Sequence, residues 1–193
     1  EGFRLSAVAF ALLSFCLPAR ADLTRIQSIE VRAGWNAVYL EVDPLDSNPA
    51  TLFSGLPIEI VATYWSRLTP VESVSNPADA PWKQEGWGVW YAPARPDAVA
   101  TSLHAIQGRR AYLIQASRDV TWSVSGSVTV QPLRWQTDSY NLIGFSVDPQ
   151  SPPTFESFFA GSPAHRGQRC FRLVEGLWTL VRDPSGTRLR AGE

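Results

Sequence analysis

Methionine is absent, lysine occurs once (Lys83), and cysteine and histidine occur twice each in 193 residues. Of the two cysteines, Cys16 lies in the apolar N-terminal run, which leaves Cys170 alone in the rest of the chain. A single thiol makes no intramolecular disulfide, so the fold must rest on its core. His104 and His165 have no histidine, cysteine or carboxylate neighbours at ligand spacing, which argues against a metal centre, and no cofactor is expected. They are read as surface loop residues. No GxSxG motif is present, and Cys170 sits in the strand-like RCFRL, where a structural thiol is expected rather than a nucleophile. An excess of charge is also missing. Without Arg4, Arg20 and Glu1 the balance is 15 basic to 17 acidic residues, which gives no electrostatic case for nucleic acid. Nor does any long apolar periodicity of 3.6 residues follow Ala21.

At the N-terminus, Arg4 precedes the uncharged apolar run Leu5–Leu17, followed by Pro18 and Ala19-Arg20-Ala21. A basic flank, a short apolar core and a small-x-small site describe a secretory signal peptide over residues 1–21, so the protein is expected to be exported. The run covers about 20 Å as a helix, against about 30 Å of bilayer hydrocarbon, so no membrane span is expected. Cys16 invites a lipoprotein reading, but Phe15 stands where such signals carry a small residue. Glu1 in place of methionine, and a C-terminus that stops soon after Leu189-Arg190-Ala191-Gly192, are read as the ends of a fragment cut inside a repeat.

Trp, Val, Thr and Ser, with 15 prolines and 13 glycines, favour strands joined by tight turns. Ile26, Ile29 and Val31 read as a first strand, and residues 35–42 as a second, with Val38, Leu40 and Val42 on one face. Asp43-Pro44 ends it. In Ser47–Pro57, Asn48 is a helix cap, Pro49 a first position and Gly55 an exit, which predicts a helix of about two turns with Leu52 and Phe53 toward a sheet. Further strands are predicted over 58–65, 87–92 and 111–116, a polar surface loop over 68–83, and a hairpin turning at Ser125-Gly126.

GWNAVYLEVDP at Gly34–Pro44 returns as SYNLIGFSVDP at Ser139–Pro149, with four of eleven positions identical. The following segment, SPPTFESFFAG, again supplies a cap (Ser151), prolines and a terminal Gly161; Tyr64-Trp65 then falls on Cys170-Phe171, and Glu85-Gly86-Trp87 on Glu175-Gly176 and Trp178. This predicts an internal duplication: a β-module over 22–136 and a second, truncated one over 137–193. A unit of this length suits a β-sandwich or barrel-like domain with one short capped helix after the DP turn. GWNAVYLEVDP, NLIGFSVDP and GRRAYLI resemble the GWNLIxxxVxP and GxxYWI patterns of tandem β-modules in large bacterial secreted or surface proteins. The resemblance implies a stalk or surface module beside other domains.

Two groups of residues could carry chemistry. Asp43 and Asp148 stand at equivalent corners, and paired acids can hydrolyse glycosidic bonds; an Asp before Pro more commonly fixes its own turn. Trp82, Trp87, Trp90 and Tyr91 cluster in PWKQEGWGVWY, with Trp87 and Tyr91 on one strand face and Trp90 on the other. One face is expected in the core, and the other could stack sugar rings. The leading expectation is a non-catalytic structural or adhesive module that meets a polysaccharide or another surface protein. A carbohydrate-binding module attached to an enzyme is the alternative, and a glycoside hydrolase the third.

Overall fold

The structure, a computed structural model, describes residues 23–65, 86–128, 132–133, 135–137 and 139–192. The signal-peptide reading, Trp82 and the whole of the 68–83 loop reading lie outside these residues. The described chain is mostly β-sheet, all of it antiparallel, with few and short helices.

In the first half the strands are β1 (Thr24–Val31), β2 (Gly34–Leu40), β3 (Val42–Pro44), β4 (Ile58–Tyr64), β5 (Trp87–Tyr91), β6 (Arg110–Ala116) and β7 (Val120–Val128). They form two sheets, ordered β1-β7-β3 and β2-β6-β4-β5. Neither closes into a barrel among the described residues. Both sheets turn apolar side chains into one core: Ile29 and Val31, Val38 and Leu40, Val42, Val61, Trp90, Tyr112 and Ile114, Trp122 and Val124. Alternation sets this arrangement, since every second side chain of a strand faces the same way.

Val38, Leu40 and Val42 share the core face as their spacing predicts, yet they do not share a sheet. The chain passes from the four-stranded to the three-stranded sheet at Glu41, between β2 and β3. Such a crossing breaks the ladder and must be satisfied otherwise. Gln27, buried on β1, does this: its Nε2 donates to the Tyr39 carbonyl at 2.9 Å and its Oε1 accepts from the Glu41 N–H at 2.8 Å. Gln27 therefore takes the inward position, and Ile26 faces solvent instead.

The first helix, α1 (Pro49–Leu52), is shorter than predicted but starts as expected, with Asn48 Oδ1 accepting from the Ala50 N–H at 2.9 Å. Phe53 at its end packs against Trp90 and Trp122, with ring centroids 5.2 and 5.0 Å apart. The hairpin predicted at Ser125-Gly126 does not form. β7 runs straight through that dipeptide, and the turn before it carries the chain from β6 in the four-stranded sheet to β7 in the three-stranded one. Gly126 pairs with Pro44, and a Cβ there would collide with the Asp43 carbonyl. Glycine here allows two backbones to approach closely rather than turning the chain.

In the second half, α2 (Phe155–Phe159) is capped by Thr154, whose Oγ1 accepts from the Ser157 N–H at 3.1 Å, and not by Ser151. Pro152 and Pro153 disfavour helical geometry in the residues before them and delay the start. Two strands follow, β8 (Phe171–Val174) and β9 (Leu177–Leu180), paired as a hairpin. Residues 141–147, which the repeat predicts as a strand, have no ladder partner among the described residues. Phe145, Phe155 and Leu189 form a small second core, joined by Ile143, Val147, Phe159 and Cys170.

Candidate functional site

The four-stranded sheet has an outer face made by the residues between its core positions. Register places Trp35 opposite Gln115, Ala37 opposite Leu113 and Tyr39 opposite Ala111 on β2–β6, then Tyr91 opposite Ile60, Val89 opposite Ala62 and Trp87 opposite Tyr64 on β5–β4. This face carries Trp35, Tyr39, Tyr64, Trp87 and Tyr91, none of which the first core takes.

The second half lies against the β2–β6 end of that face. Tyr39 is buried there, and a Cβ on Gly144 would collide with its Cβ and ring. The missing side chain at 144 is the socket into which Tyr39 fits. Burial holds the Tyr39 hydroxyl's pKa above its usual value, while Arg109 and a hydrogen bond to Ser146 act the other way. The Tyr39 N–H donates to the Gly192 carbonyl at 2.8 Å, which covers part of the exposed edge of β2. Beside this contact, Trp35, Leu113, Leu173, Gly176 and Trp178 line an open cleft of about 200 Å³, with Trp35 38% and Trp178 49% exposed.

At the other end, Trp87 and Tyr91 share the outer face as their spacing predicts, both half-buried. The Trp87 and Tyr64 rings stand 5.2 Å apart. The Arg95 guanidinium lies 6.0 Å from the Tyr91 ring. Arg95 also grips Asp97 through two bonds of 2.8 and 2.9 Å and reaches Glu59 at 3.2 Å. The Arg95 hydrogen bond holds the Asp97 carboxyl below the usual carboxylate range. Trp90 is elsewhere: it faces the core at 6% exposure, so its ring offers no surface for a ligand. Of the four aromatics predicted as a cluster, the structure places Trp87 and Tyr91 together on the surface and separates Trp90 from them. The free edge of β5 is covered by residues 101–103, with the Val89 N–H donating to Ser102 Oγ and the Tyr91 N–H to Thr101 Oγ1.

The two acids found at equivalent corners both serve backbone. Asp43 Oδ1 accepts from the Gly108 N–H at 2.8 Å and ties the end of β3 to the start of β6. Asp148 Oδ1 accepts from the Gln150 N–H at 2.9 Å and closes its own turn. Burial raises the Cys170 thiol's pKa, offset partly by Gln168, which is the opposite of what a nucleophile needs. His104 is exposed. His165, read from sequence as a loop residue, instead packs edge-on to Trp135 at 4.4 Å between ring centroids, with Ser162 Oγ 2.6 Å from its Nδ1. No group of three metal-ligating side chains occurs among the described residues, and no helix among them is long and apolar enough to cross a membrane.

Sequence reasoning missed Trp35 and Trp178 as a pair. The repeat aligned Trp35 with Tyr140 and Trp178 with Trp87, and so treated them as counterparts within separate modules. Only the packing of one half on the other brings them together. The chain matches no known family of proteins, no curated protein and no solved structure.

Proposed function

We propose that the chain is a non-catalytic, exported segment of a bacterial secreted or cell-surface protein, built from two copies of one β-sandwich module and acting as a structural or adhesive part. The observation that carries this reading is that the two halves repeat the same local bonding. Asn36 accepts from the Arg32 N–H and donates to the Arg32 and Gly34 carbonyls. Asn141, 105 positions later, accepts from the Gln136 N–H and donates to the Gln136 and Ser139 carbonyls. A capped helix follows each, and the residue ahead of each cap accepts a buried N–H: Ile106 to Ser47 at 2.8 Å, Leu189 to Pro153 at 2.9 Å. The ends of the hairpins match also, with Ala92 bonded to Glu59 and Val181 to Cys170. On this bonding Cys170 corresponds to Glu59, whereas the sequence alignment sets it against Tyr64.

The halves meet through the Tyr39–Gly144 contact, on the face where a ligand platform would otherwise lie. That supports a rigid, load-transmitting part over a ligand-binding one. The test is thermal unfolding of the chain and of Gly144→Val. The wild type should unfold in one transition, and the substitution should split it in two. Two transitions in the wild type would show independent modules and defeat the reading. Fusion of residues 1–21 to a reporter that is active only after export tests the localisation, and a reporter retained in the cytoplasm would refute it.

A carbohydrate-binding module remains the second reading, favoured by the shared outer face of Tyr64, Trp87 and Tyr91. Trp87→Ala with Tyr91→Ala should then abolish retention on a polysaccharide panel. Unchanged retention, or none in the wild type, removes it. A glycoside hydrolase finds less support, since Asp43 and Asp148 are each committed to a backbone amide.

A further inference from the structure

We infer that the open cleft between Trp35 and Trp178 is a binding site for one uncharged sugar ring of a polysaccharide, held jointly by the two halves of the chain. This deepens the adhesive side of the proposed function and does not rest on the repeat.

The walls of the cleft come from different halves: Trp35 from β2 and Leu113 from β6, Leu173 from β8 and Trp178 from β9, with Gly176 in the turn between. Leu173 and Trp178 are paired across the β8–β9 hairpin and so point to one face. Its turn has Glu175 at φ 50° and Gly176 at φ 78°, both left-handed, as tight hairpin turns require. The turn rests against the first half, since a Cβ on Gly176 would lie 3.8 Å from the Trp35 Cβ, in ordinary contact. The docking of Tyr39 on Gly144 covers the neighbouring part of the sheet but stops short of Trp35. Two indoles, 38% and 49% exposed, are thereby left on one cleft, although tryptophan is usually well buried.

Chemistry narrows the occupant. Among the described residues no ionisable side chain lines the cleft, so nothing there compensates a charged ligand. Its volume of about 200 Å³ is below the roughly 300–1,000 Å³ of pockets for drug-sized molecules, which leaves room for about one ring. The electron-rich faces of indoles attract the C–H groups that a sugar ring presents on its own faces. Gln115 stands directly opposite Trp35 on β6, on the same face of the sheet as Leu113. Its half-buried amide offers a donor and an acceptor side by side. A sugar hydroxyl donates and accepts, and so matches both. A proline-rich peptide, the other occupant that aromatic grooves take, has no N–H at its prolines and leaves the amide oxygen unmatched. Register continues the row from Gln115 to Ile60 and Tyr91, so that it ends on a second ring three strand spacings, or about 14 Å, from Trp35. That length favours a chain of sugars over a free monosaccharide.

The test titrates the purified full chain with cellohexaose, maltohexaose, xylohexaose and chitohexaose, followed by tryptophan fluorescence and calorimetry. At least one should bind at one per chain and change the tryptophan emission. Trp178→Ala should weaken that binding by about tenfold or more, with an unchanged urea midpoint because the side chain is exposed. Gly144→Val should weaken it too, although residue 144 does not line the cleft, and Trp87→Ala should leave it unchanged. The inference is overturned if none of the four saccharides binds or if Trp178→Ala keeps full affinity. Unchanged affinity in Gly144→Val would show that one half binds alone, which also overturns it. Loss in Trp87→Ala but not in Trp178→Ala would move the sugar to the other end of the sheet, in favour of the second reading above. Binding of decaproline in place of the sugars would overturn it by naming a peptide as the occupant. The wild-type unfolding and export tests depend on none of these results, so the two proposals fail separately.

Discussion

Gln27→Leu tests the account of how one strand serves two sheets. The substitution keeps the volume and the burial but removes both bonds at the crossing, leaving the Tyr39 carbonyl and the Glu41 N–H without their partner. Each buried main-chain group left unsatisfied costs about 1–3 kcal/mol. A buried leucine in place of the amide returns about 1–2 kcal/mol of apolar transfer. The net loss should be about 2 kcal/mol, or about 4–8 °C in Tm for a domain of this size. Urea unfolding followed by tryptophan fluorescence should show the midpoint falling with an unchanged slope, since no different surface is exposed. Gln27→Glu separates the two bonds. It keeps the acceptor for Glu41 but sets a carboxylate against the Tyr39 carbonyl, so its deficit should shrink as the pH falls below about 5 and the acid takes up a proton. Ser28→Ala, on the solvent side of the same strand, should stay within about 0.5 kcal/mol. A neutral or stabilising Gln27→Leu would show that the crossing does not depend on the amide.

Trp90→Ala should cost about 3–5 kcal/mol as a core truncation, whereas Trp87→Ala, half-buried against Tyr64, should cost about 1 kcal/mol; chemical denaturation of each compares them, and equal losses would contradict the face assignment. Burial pushes the Tyr112 hydroxyl's pKa up to about 12 from the usual 10.0 of a tyrosine, despite its bonds to Gln107. Between those values the unfolded chain has lost the proton and the folded one keeps it, so stability should fall as the pH rises from about 10 to 12, by on the order of 2 kcal/mol. Phenolate absorbance should show a tyrosine that titrates only in that range, and Tyr112→Phe should remove that share of the alkaline loss. Alkylation of Cys170 at mildly alkaline pH should be slow in the native chain and fast in denaturant, because burial disfavours its thiolate.

Most of the strands were legible because their signals are local. Alternation of Val38, Leu40 and Val42 and the stop at Asp43-Pro44 need only neighbours to be read, as do the Asn48 cap and the runs after Ile58, Trp87 and Ala111. What escaped was long-range. Ser125-Gly126 carries the composition of a turn, and only the approach of Asp43 explains a glycine in a straight strand. Gln27 is one polar residue in an alternating strand, and its inward placement follows from a gap in the ladder of another segment. The cleft between Trp35 and Trp178 depends on how one half rests on the other, which no pattern within a single module encodes. That 142–147 joins no ladder among the described residues has the same origin, because a strand sequence becomes a strand only when it has a neighbour.

The Tyr39–Gly144 contact has a bearing on how a longer protein of this kind would be counted. Under the proposed repeat, Tyr39 and Gly144 are counterparts 105 residues apart, and one patch then meets its own equivalent. A contact of that isologous type is used up by the pair that makes it and offers nothing to a third unit. The large residue on one half and the small one on the other also fix who is partnered with whom, since two tyrosines would clash and two glycines would leave a void. Modules joined in this way would come in couples, each closed on itself, and a chain of them would lengthen by two modules at a time.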